Sequence, residues 1–477
     1  MRYLPIWVLL TPLCLQAAGI DTPPVPVDTS PVKHDFIVQP TQEETPTAYT
    51  PTIAQTDISQ TGGNIALVEK LITLAVIHKN PQQLEKLLNT YHSYPSADPI
   101  LTDYAQSALL YMQGRLAESI DIQQTLSDQH PDLPHVRMNL ATIQFEDKRY
   151  RDAAQQLQIL KQSKNEQIRQ FANTMLQQID KITEWKPNGY LEYDRNRNVN
   201  NASIQDYIEI NRKRLPKSQG SMPKHAEGFR YGLSASLLYP LQSNHALTVL
   251  SGINGRYYWD NHEYDQQNIH FSGGYLYQNK DWSLKTAPSF TQSWMDSSRY
   301  NHSVGMSQNI SYRLAQKWRI QFSASLRKTR YNDQEYRDFD NRTLSLSPTL
   351  IYWNSNYNIY GGVSYARGKA QKASLSSDTV RLYAGFGKSW RNGWNLSADA
   401  SLSHELYKQT PDLGITPYPF RRNDKTVNLD ISVWQSKWQY RGFVPKLNFS
   451  DYRIISNMPA FYSRKTRKVY FSLEKMF

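Results

Sequence analysis

From Trp185 to the end of the chain, apolar and polar side chains alternate with a period of two. In "FRYGLSASLLY", Phe229, Tyr231 and Leu233 fall on one face of an extended strand, opposite arginine, glycine and serine. "WNLSADASLS" and "VNLDISV" show the same alternation. These segments run for about 10 residues or more, which is the length that crosses a bilayer at a tilt. We count about fourteen of them, an even number as in bacterial outer-membrane barrels. The pattern predicts an antiparallel transmembrane β-barrel over residues 184–477.

The preceding region, residues 63–183, has the spacing of helices and contains a repeat. Six positions recur 34 residues later: Leu109, Tyr111, Gly114, Leu116, Ser119 and Leu126 return as Ile143, Phe145, Lys148, Tyr150, Ala153 and Leu160. That offset is the tetratricopeptide (TPR) period. A degenerate earlier copy includes Ala75, Ile77 and Asn80. The region is therefore predicted to be a TPR-like α-solenoid, an architecture that presents extended surfaces to protein partners.

The connections between the predicted strands differ in length on the two sides of the barrel. Short ones, such as "QNKD" at 278 and "RNG" at 391, alternate with long polar ones, including 195–227, 328–340, 408–424 and 450–467. An even number of strands places both chain ends on the short-turn side, which is the periplasmic side in such barrels, so the long loops are expected outside the cell. A large soluble sandwich or propeller is the alternative, but it does not predict this alternation.

Aromatic residues gather beside the short turns, as expected of an interfacial girdle. They are Tyr277, Trp282, Trp318, Trp353, Tyr357, Trp390, Trp394, Trp434 and Trp438. The whole chain holds 32 Tyr and 11 Trp, amphipathic side chains that suit a boundary between water and lipid. In one short turn, Asn392-Gly393 predicts a two-residue hairpin.

The N-terminus has the features of an export signal. Residues 1–18 combine Arg2, an apolar segment and small residues near a cleavage site, as in a secretory signal peptide. Residues 19–62 are rich in Pro and Thr and are predicted to form an extended linker. The single cysteine, Cys14, lies in the signal peptide, so the mature chain is expected to lack disulfides and thiolate sites. The net charge of +12 then points to anionic lipid or an anionic client rather than nucleic acid.

The last ten residues, "KVYFSLEKMF", form a two-faced strand that ends on an aromatic. Val469, Phe471, Leu473 and Phe477 are predicted to face lipid. We expect this strand to pair with the first barrel strand, near residues 189–194, because an open sheet edge is not tolerated in lipid. A terminal aromatic also resembles the signal that the outer-membrane barrel assembly machinery reads.

No catalytic constellation, cofactor motif or metal site is predicted. His130, Asp132 and His135 could bind a metal in principle, but their position in an inter-repeat turn favours solvated loop residues. Asp260, Glu263 and Asp265 are spaced like a calcium loop that lacks its glycine, which favours an acidic outer loop. Six residues are predicted to form a polar network in the lumen: Arg230, Gln321, Arg327, Asp399, Asn428 and Asp430.

The order of these segments resembles that of a known family. A signal peptide, a Pro-rich linker, the repeat "YAQSALLYMQGRLAESI…FEDKRYRDAAQQL" and the segment "GYLEYDRNRNVNNAS" that opens the barrel are similar to the Slam family, the surface lipoprotein assembly modulators of Gram-negative bacteria. The resemblance implies an outer-membrane translocator, not an enzyme, whose clients are surface lipoproteins or soluble haem- or iron-binding proteins.

The resemblance and the residues together give one functional hypothesis and one alternative. The TPR domain, in the periplasm, docks the client or its chaperone, and the barrel in the outer-membrane lipid provides the passage. The alternative is a small-solute channel whose helical domain docks a periplasmic protein.

Overall fold

A computed structural model of the chain describes residues 64–210, 213–411 and 420–475. The predicted signal peptide and linker, and the C-terminal Phe477, lie outside the described residues. What the structure describes is a helical domain followed by a closed β-barrel, which confirms the predicted fold class.

Within the described residues, seven helices form the N-terminal domain, in three antiparallel pairs and a final capping helix. They are α1 (Ile65–Ile77), α2 (Pro81–Tyr91), α3 (Pro99–Met112), α4 (Leu116–Gln129), α5 (Pro134–Glu146), α6 (Tyr150–Leu160) and α7 (Glu166–Thr183). Side-chain oxygens of Asn64, Asn80, Asp98 and Asn165 cap four of the helix N-termini. Fully buried leucines and a tyrosine, including Tyr91, fill the space between the paired helices. In the described part of the chain, none of the helices has the length and apolar character required to cross a membrane.

The repeat has a backbone signature where each first helix ends. Lys79, Gly114 and Lys148 have φ angles of +51°, +82° and +67°, the left-handed conformation of a helix C-terminus. In each case the next N–H donates back to a helix carbonyl five residues earlier, at 3.0, 2.9 and 2.8 Å. The 34-residue offset from Gly114 to Lys148 is thus confirmed, whereas Lys79 precedes Gly114 by one residue more.

Fourteen antiparallel strands close into the barrel, as predicted. They are β1 (Lys186–Asn196), β4 (Ala226–Pro240), β5 (His245–Tyr258), β6 (Gln266–Gln278), β7 (Trp282–Met295), β8 (Ser298–Ala315), β9 (Trp318–Tyr331), β10 (Asn341–Trp353), β11 (Tyr357–Ala370), β12 (Ser377–Ser389), β13 (Trp394–Tyr407), β14 (Asn423–Gln435), β15 (Phe443–Ser456) and β16 (Arg464–Lys475). The loop after β1 adds a small hairpin, β2 (Tyr207–Ile210) and β3 (Lys213–Pro216), and the last loop a helical turn, α8 (Pro459–Tyr462).

The outer face of the barrel is apolar. Alternate residues of each strand expose large hydrophobic side chains, such as Leu233, Leu326 and Phe471, which is 69% exposed. Val469 and Leu473 are exposed on the same face of β16, as predicted. An apolar outer surface on a closed sheet with no edges is the arrangement that lipid requires of strands.

The two rims of the barrel differ as predicted, with exceptions. At the short-turn rim, connections run over 241–244, 279–281, 316–317, 354–356, 390–393 and 436–442. At the opposite long-loop rim, β7 and β8 are joined by Asp296 and Ser297 alone, both with positive φ, as in a type I′ turn. The predicted loops 328–340 and 450–467 were too long, because strand pairing continues to Tyr331 and Ser456.

Two details of the short-turn rim were predicted wrongly. Gly393 has φ +94° and is the last residue of a four-residue turn that begins at Trp390, so the connection is not a two-residue hairpin. Trp353 and Trp434 do not join the aromatic girdle. They alternate with outward-facing residues and point inwards, where Arg319 and Lys446 lie over their rings at 5.1 and 4.7 Å. The distance of a residue from a turn determines how close its side chain lies to the rim. Whether the residue is at an odd or an even position along the strand determines which face of the sheet it is on.

Candidate functional site: the helix-covered mouth of the barrel

The third helical repeat is fastened to the short-turn rim by buried hydrogen bonds. Asn244, in the β4–β5 turn, donates through Nδ2 to the backbone oxygen of Asp147 at 2.6 Å and to its Oδ2 at 3.1 Å. The same Nδ2 donates at 3.0 Å to the backbone oxygen of Gln278, at the end of β6. The N–H of Ser243 donates to Asp152 Oδ2 at 3.0 Å. Asn244 is 6% exposed, so these bonds are shielded from water.

Apolar packing extends this contact towards the lumen. Leu238 faces the barrel interior by its parity on β4, and it packs against the hydrophobic cluster of α5, α6 and α7 that includes Leu176 and Ile179. The helical domain therefore covers part of the barrel opening. It reaches this position through residues far apart in the sequence, since Asp147 and Asn244 are 97 residues apart.

The covered part of the mouth is positively charged. Arg313 on β8 and Arg319 on β9 are direct cross-strand partners that face the lumen by parity. Lys148, at the left-handed position of the third repeat, lies close to both. Burial, together with the charges of these two arginines, lowers the pKa of Lys148 to about 8. Three cations converge here. The carboxylates of Glu146 and Asp147 oppose the shift of Lys148 only in part, and Arg313 lies 4.0 Å from Asp281. Such a surface attracts acidic polypeptide segments.

Polar and aromatic side chains connect the first helices of successive repeats. Tyr111 on α3 donates through its hydroxyl to both carboxylate oxygens of Glu146 on α5, at 2.9 and 3.0 Å. Asn139 on α5 donates to the hydroxyl of Tyr104 on α3 at 2.6 Å. All four side chains are partly exposed. They give the domain a surface that can contact an extended chain through both hydrogen bonds and apolar rings.

The six residues predicted to face the lumen all lie on the inward side of their strands. Arg230 donates to Glu192 at 3.3 Å, and Asn428 donates to Asp430 at 2.5 Å. Asp399 accepts from Tyr360 and, at 3.2 Å, from Ser397. Gln321 donates to Ser323 at 3.3 Å, and Arg327 lies two positions along β9 from Ser325 on the same face. These are local pairs of mixed sign spread around the wall rather than one ring.

The two ends of the sheet meet at a seam between β1 and β16, as predicted. Among the described residues, four residue pairs join the strands, from Gly189–Lys475 to Glu192–Ser472. The other edge of β1 pairs with β4 over eleven positions. Both strands continue beyond Glu192–Ser472 towards the long-loop rim, but the cross-strand register does not. There, Lys468 donates to the buried carboxylate of Asp194 at 2.5 Å.

Loop contacts close the seam above this ion pair. Ser203, in the loop after β1, donates through Oγ to the backbone oxygen of Pro459 at 2.8 Å. Arg464, the first residue of β16, donates to the backbone oxygen of Asn201 at 3.3 Å. The upper half of the seam is therefore joined by side chains and loops, where other strand pairs use a continuous backbone ladder.

The metal candidates raised by the sequence do not converge. Asp260 accepts from the N–H of Glu227, Glu263 pairs with Lys224 at 2.8 Å, and Asp265 accepts from the N–H of Tyr258. In the inter-repeat turn, the ring of His135 packs edge-on against Tyr104 at 5.9 Å. Across the described residues, no group of three or more His, Cys, Asp or Glu side chains is arranged to hold a metal ion.

Sequence reasoning missed the docking contact of Asn244 and the Asp194–Lys468 ion pair at the seam. Asn244 sits in a turn predicted to be short and polar, and nothing local distinguishes it from other turn asparagines. Lys148 carried a faint signal, because it occupies the position that Gly114 fills in the preceding repeat. The first repeat also has a lysine, Lys79, in this left-handed conformation, so the residue type alone does not predict a contact.

Comparison with known proteins assigns the chain to a family. The sequence profile of the surface lipoprotein assembly modifier matches residues 185–477, and the profile of that family's N-terminal TPR repeats matches residues 54–157. The Surface lipoprotein assembly modifier of Pasteurella multocida is 24% identical over 474 residues, which covers 94% of this chain and 90% of the relative. Surface lipoprotein assembly modifier 1 of Neisseria meningitidis serogroup B is 25% identical, covering 94% and 93%.

The chain is also similar to a further relative in sequence and to solved barrel structures. The Hemophilin secretion modulator of Acinetobacter baumannii is 24% identical over 439 residues, covering 86% of this chain and 85% of the relative. Among solved structures, a bacterial polysaccharide outer membrane secretin aligns with 61% of this chain and 98% of its own at 11% identity, with a TM-score of 0.32. That score is too low to support an argument, and the assignment rests on the sequence profiles. The chain belongs to the surface lipoprotein assembly modifier family.

Proposed function

We propose that the protein is an outer-membrane translocator that delivers client proteins from the periplasm to the cell surface. The clients are surface lipoproteins or related soluble haem-binding proteins, the classes that the names of its relatives indicate. The short-turn rim and the helical domain lie in the periplasm, and the long-loop rim faces outwards. One observation carries the proposal: a helical repeat domain is fastened by buried bonds over the mouth of a closed barrel.

The helical domain receives the client, or a chaperone that carries it. Two surfaces support this role: the partly exposed pairs Tyr111–Glu146 and Asn139–Tyr104 across the repeats, and the cationic mouth around Lys148. A client held there in a partly unfolded state is already at the barrel entrance. Client folding outside the cell then makes the passage irreversible.

The seam between β1 and β16 is the proposed exit. Its short register leaves fewer backbone hydrogen bonds to break than at the neighbouring β1–β4 junction. A lipidated client has to pass its acyl chains into the membrane, and a lateral opening avoids drawing them through a polar lumen.

Deleting residues 64–183 tests the role of the helices. We expect the barrel to insert normally, because its fourteen strands close without the helical domain, while client proteins disappear from the surface and accumulate in the periplasm. The measurement compares surface-exposed and secreted proteins, by mass spectrometry, between cells with the full chain and cells with the deletion at matched barrel levels. Unchanged surface proteins combined with reduced uptake of small solutes would instead support a channel.

A further inference from the structure

Three cations lie side by side on the outer wall of the barrel near the long-loop rim. Lys328 on β9, Arg342 on β10 and Lys369 on β11 occupy one row, since Arg342 is the direct cross-strand partner of both lysines. All three face outwards. Lys328 and Arg342 share strand parity with the exposed Leu326 and Leu344, and Lys369 shares it with the exposed Val363. We refer to these three residues as the cationic row.

The cationic row stands at one edge of the apolar band. Lys328 is ten positions from the outward-facing Trp318 of the aromatic girdle on the same strand. Ten residues span about 33 Å along a strand and about 25 Å across the membrane at a tilt of about 40°. That height matches the apolar band of an outer-membrane barrel. The row therefore lies where hydrocarbon ends and headgroups begin.

The row lacks an anionic partner within the described part of the protein. Three other outward arginines at this rim do have one: Arg367 lies 2.9 Å from Asp378, Arg453 lies 2.8 Å from Asp451, and Arg195 lies 3.0 Å from Glu227.

Two acids of the loop between β9 and β10, above the row, have other partners. Asp340 accepts from the N–H of Tyr331, and Asp338 lies 3.8 Å from Lys372.

Placing like charges directly opposite each other on neighbouring strands is unfavourable in an isolated sheet. Strands are about 4.8 Å apart, so the three side chains can reach the oxygens of one or two phosphate groups together. Arginine and lysine bind phosphate through charge-assisted hydrogen bonds. Below the row, Leu326 and Leu344 offer an apolar surface to acyl chains. A ligand that satisfies both features carries phosphate immediately above hydrocarbon.

We propose that the cationic row is a binding site for a phosphorylated glycolipid of the outer leaflet. The proposal rests on the orientation given under the proposed function, with the long-loop rim outside. Counting around the sheet, β9 and β10 lie opposite the β1–β16 seam. The lipid would hold the barrel by the wall that stays closed and leave the seam without a tightly bound neighbour.

The test measures lipid binding to the purified full-length protein in detergent, by native mass spectrometry. The probes are bisphosphorylated hexa-acyl lipid A, the same lipid after removal of both phosphates, and inorganic phosphate. The variant is K328Q/R342Q/K369Q. The matched control is K317Q/R391Q/K437Q, which removes two lysines and one arginine from exposed positions at the short-turn rim.

We expect the wild type and the control to bind bisphosphorylated lipid A with equal affinity, and the row variant to bind at least tenfold more weakly. The dephosphorylated lipid should bind the wild type as weakly as the intact lipid binds the row variant. Equal affinity of wild type and row variant would overturn the proposal. So would competition by millimolar inorganic phosphate as effective as that of the lipid, which would identify free phosphate as the ligand.

One further measurement and one further variant show whether a loss of binding reflects misfolding. The heat-dependent gel mobility of the row variant shows whether the barrel is folded, and the single variant R342Q provides a milder change if the triple variant is not. The binding assay does not depend on client delivery. A failure of the translocation hypothesis would therefore leave its outcome readable, and the reverse also holds.

Discussion

Lys148 combines two unfavourable features, a left-handed backbone and a charge held beside two arginines. Lys79 has the same backbone conformation at the equivalent position of the first repeat, but it is exposed and remote from the barrel. The pair separates the effect of the charge from that of the backbone. A protein that retains an unfavourable charge at an interface is expected to use it, here to attract acidic segments to the mouth.

The substitution Lys148→Met should stabilise the helical domain at pH 7 by about 1–2 kcal/mol, because it removes a charge that the folded state disfavours. In the wild type the folded pKa is about 8, against 10.5 ordinarily. Below pH 8 lysine is charged in both states and the full cost is present. Between about pH 8 and 10.5 the unfolded chain holds more protons, so wild-type stability rises and the difference from the variant shrinks.

Urea unfolding of the helices, followed by circular dichroism at 222 nm while the barrel stays folded, measures this difference. Lys79→Met is the control and should change the stability of the helical domain little, both at pH 7 and above pH 8. An equal gain from both substitutions would assign the effect to the backbone or to the methionine side chain rather than to the charge.

At the scale of elements, the β4–β5 turn and the third repeat form one joint. Replacing Asn244 by alanine removes three hydrogen bonds and leaves buried carbonyl groups without their donor, at a cost of about 1–3 kcal/mol. We expect the helical domain to move more freely on the barrel without unfolding.

A pair of spin labels would report this motion as a broader distance distribution. The labels are attached to cysteines introduced by the substitutions D128C, at the end of α4, and S436C, in the β14–β15 turn. N356A, in the β10–β11 turn of the same rim, alters an exposed asparagine and should leave the distribution narrow. A narrow distribution in N244A would show that the apolar packing at Leu238 and the Ser243–Asp152 bond hold the joint without the Asn244 side chain.

The elements themselves could be predicted from the sequence, because period-two alternation and the 34-residue offset are local patterns. The direction of a side chain, inwards or outwards, was harder to predict at the ends of strands. Trp353 and Trp434 were placed in the girdle by their nearness to turns, although counting from Leu350 and Leu429 would have placed them inside. The Asn244–Asp147 contact could not be predicted, since it depends on how two separately folded units meet.

For the whole molecule, the proposed lateral exit of clients requires that the seam between β1 and β16 can open. Leu191 and Leu473 are direct partners across the seam and both face lipid. A disulfide between L191C and L473C should lock the seam and abolish client display, with recovery after reduction. A disulfide between L382C and L402C, on β12 and β13, links an equivalent outward pair away from the seam and should have no effect.

Surface display of a client under oxidising and reducing conditions provides the readout. Normal display with the seam locked would direct the client through the lumen and remove the lateral route from the proposal. The experiment is simplified by composition, because the single natural cysteine, Cys14, lies in the predicted signal peptide.

Sequence alone predicted that β1 and β16 would meet, since lipid does not tolerate open edges. It could not predict how far their pairing extends. The length over which β1 and β16 pair depends on how far the two strands are shifted along each other and on the loops that fold over the seam. One such loop contact, from Ser203 to Pro459, joins residues 256 positions apart.

The same seam has a consequence for the order in which the barrel forms. Its partners, from Gly189–Lys475 to Glu192–Ser472, are the most distant in sequence of any in the sheet, whereas every other junction joins consecutive strands of the barrel. Distant pairings carry the largest entropic cost of loop closure and form slowly. We therefore expect hairpins to form first and the seam last, with the Asp194–Lys468 pair completing it. During biogenesis the chain would pass through an open sheet, and its final step would be the closure of the strand edges that a translocating client would later reopen.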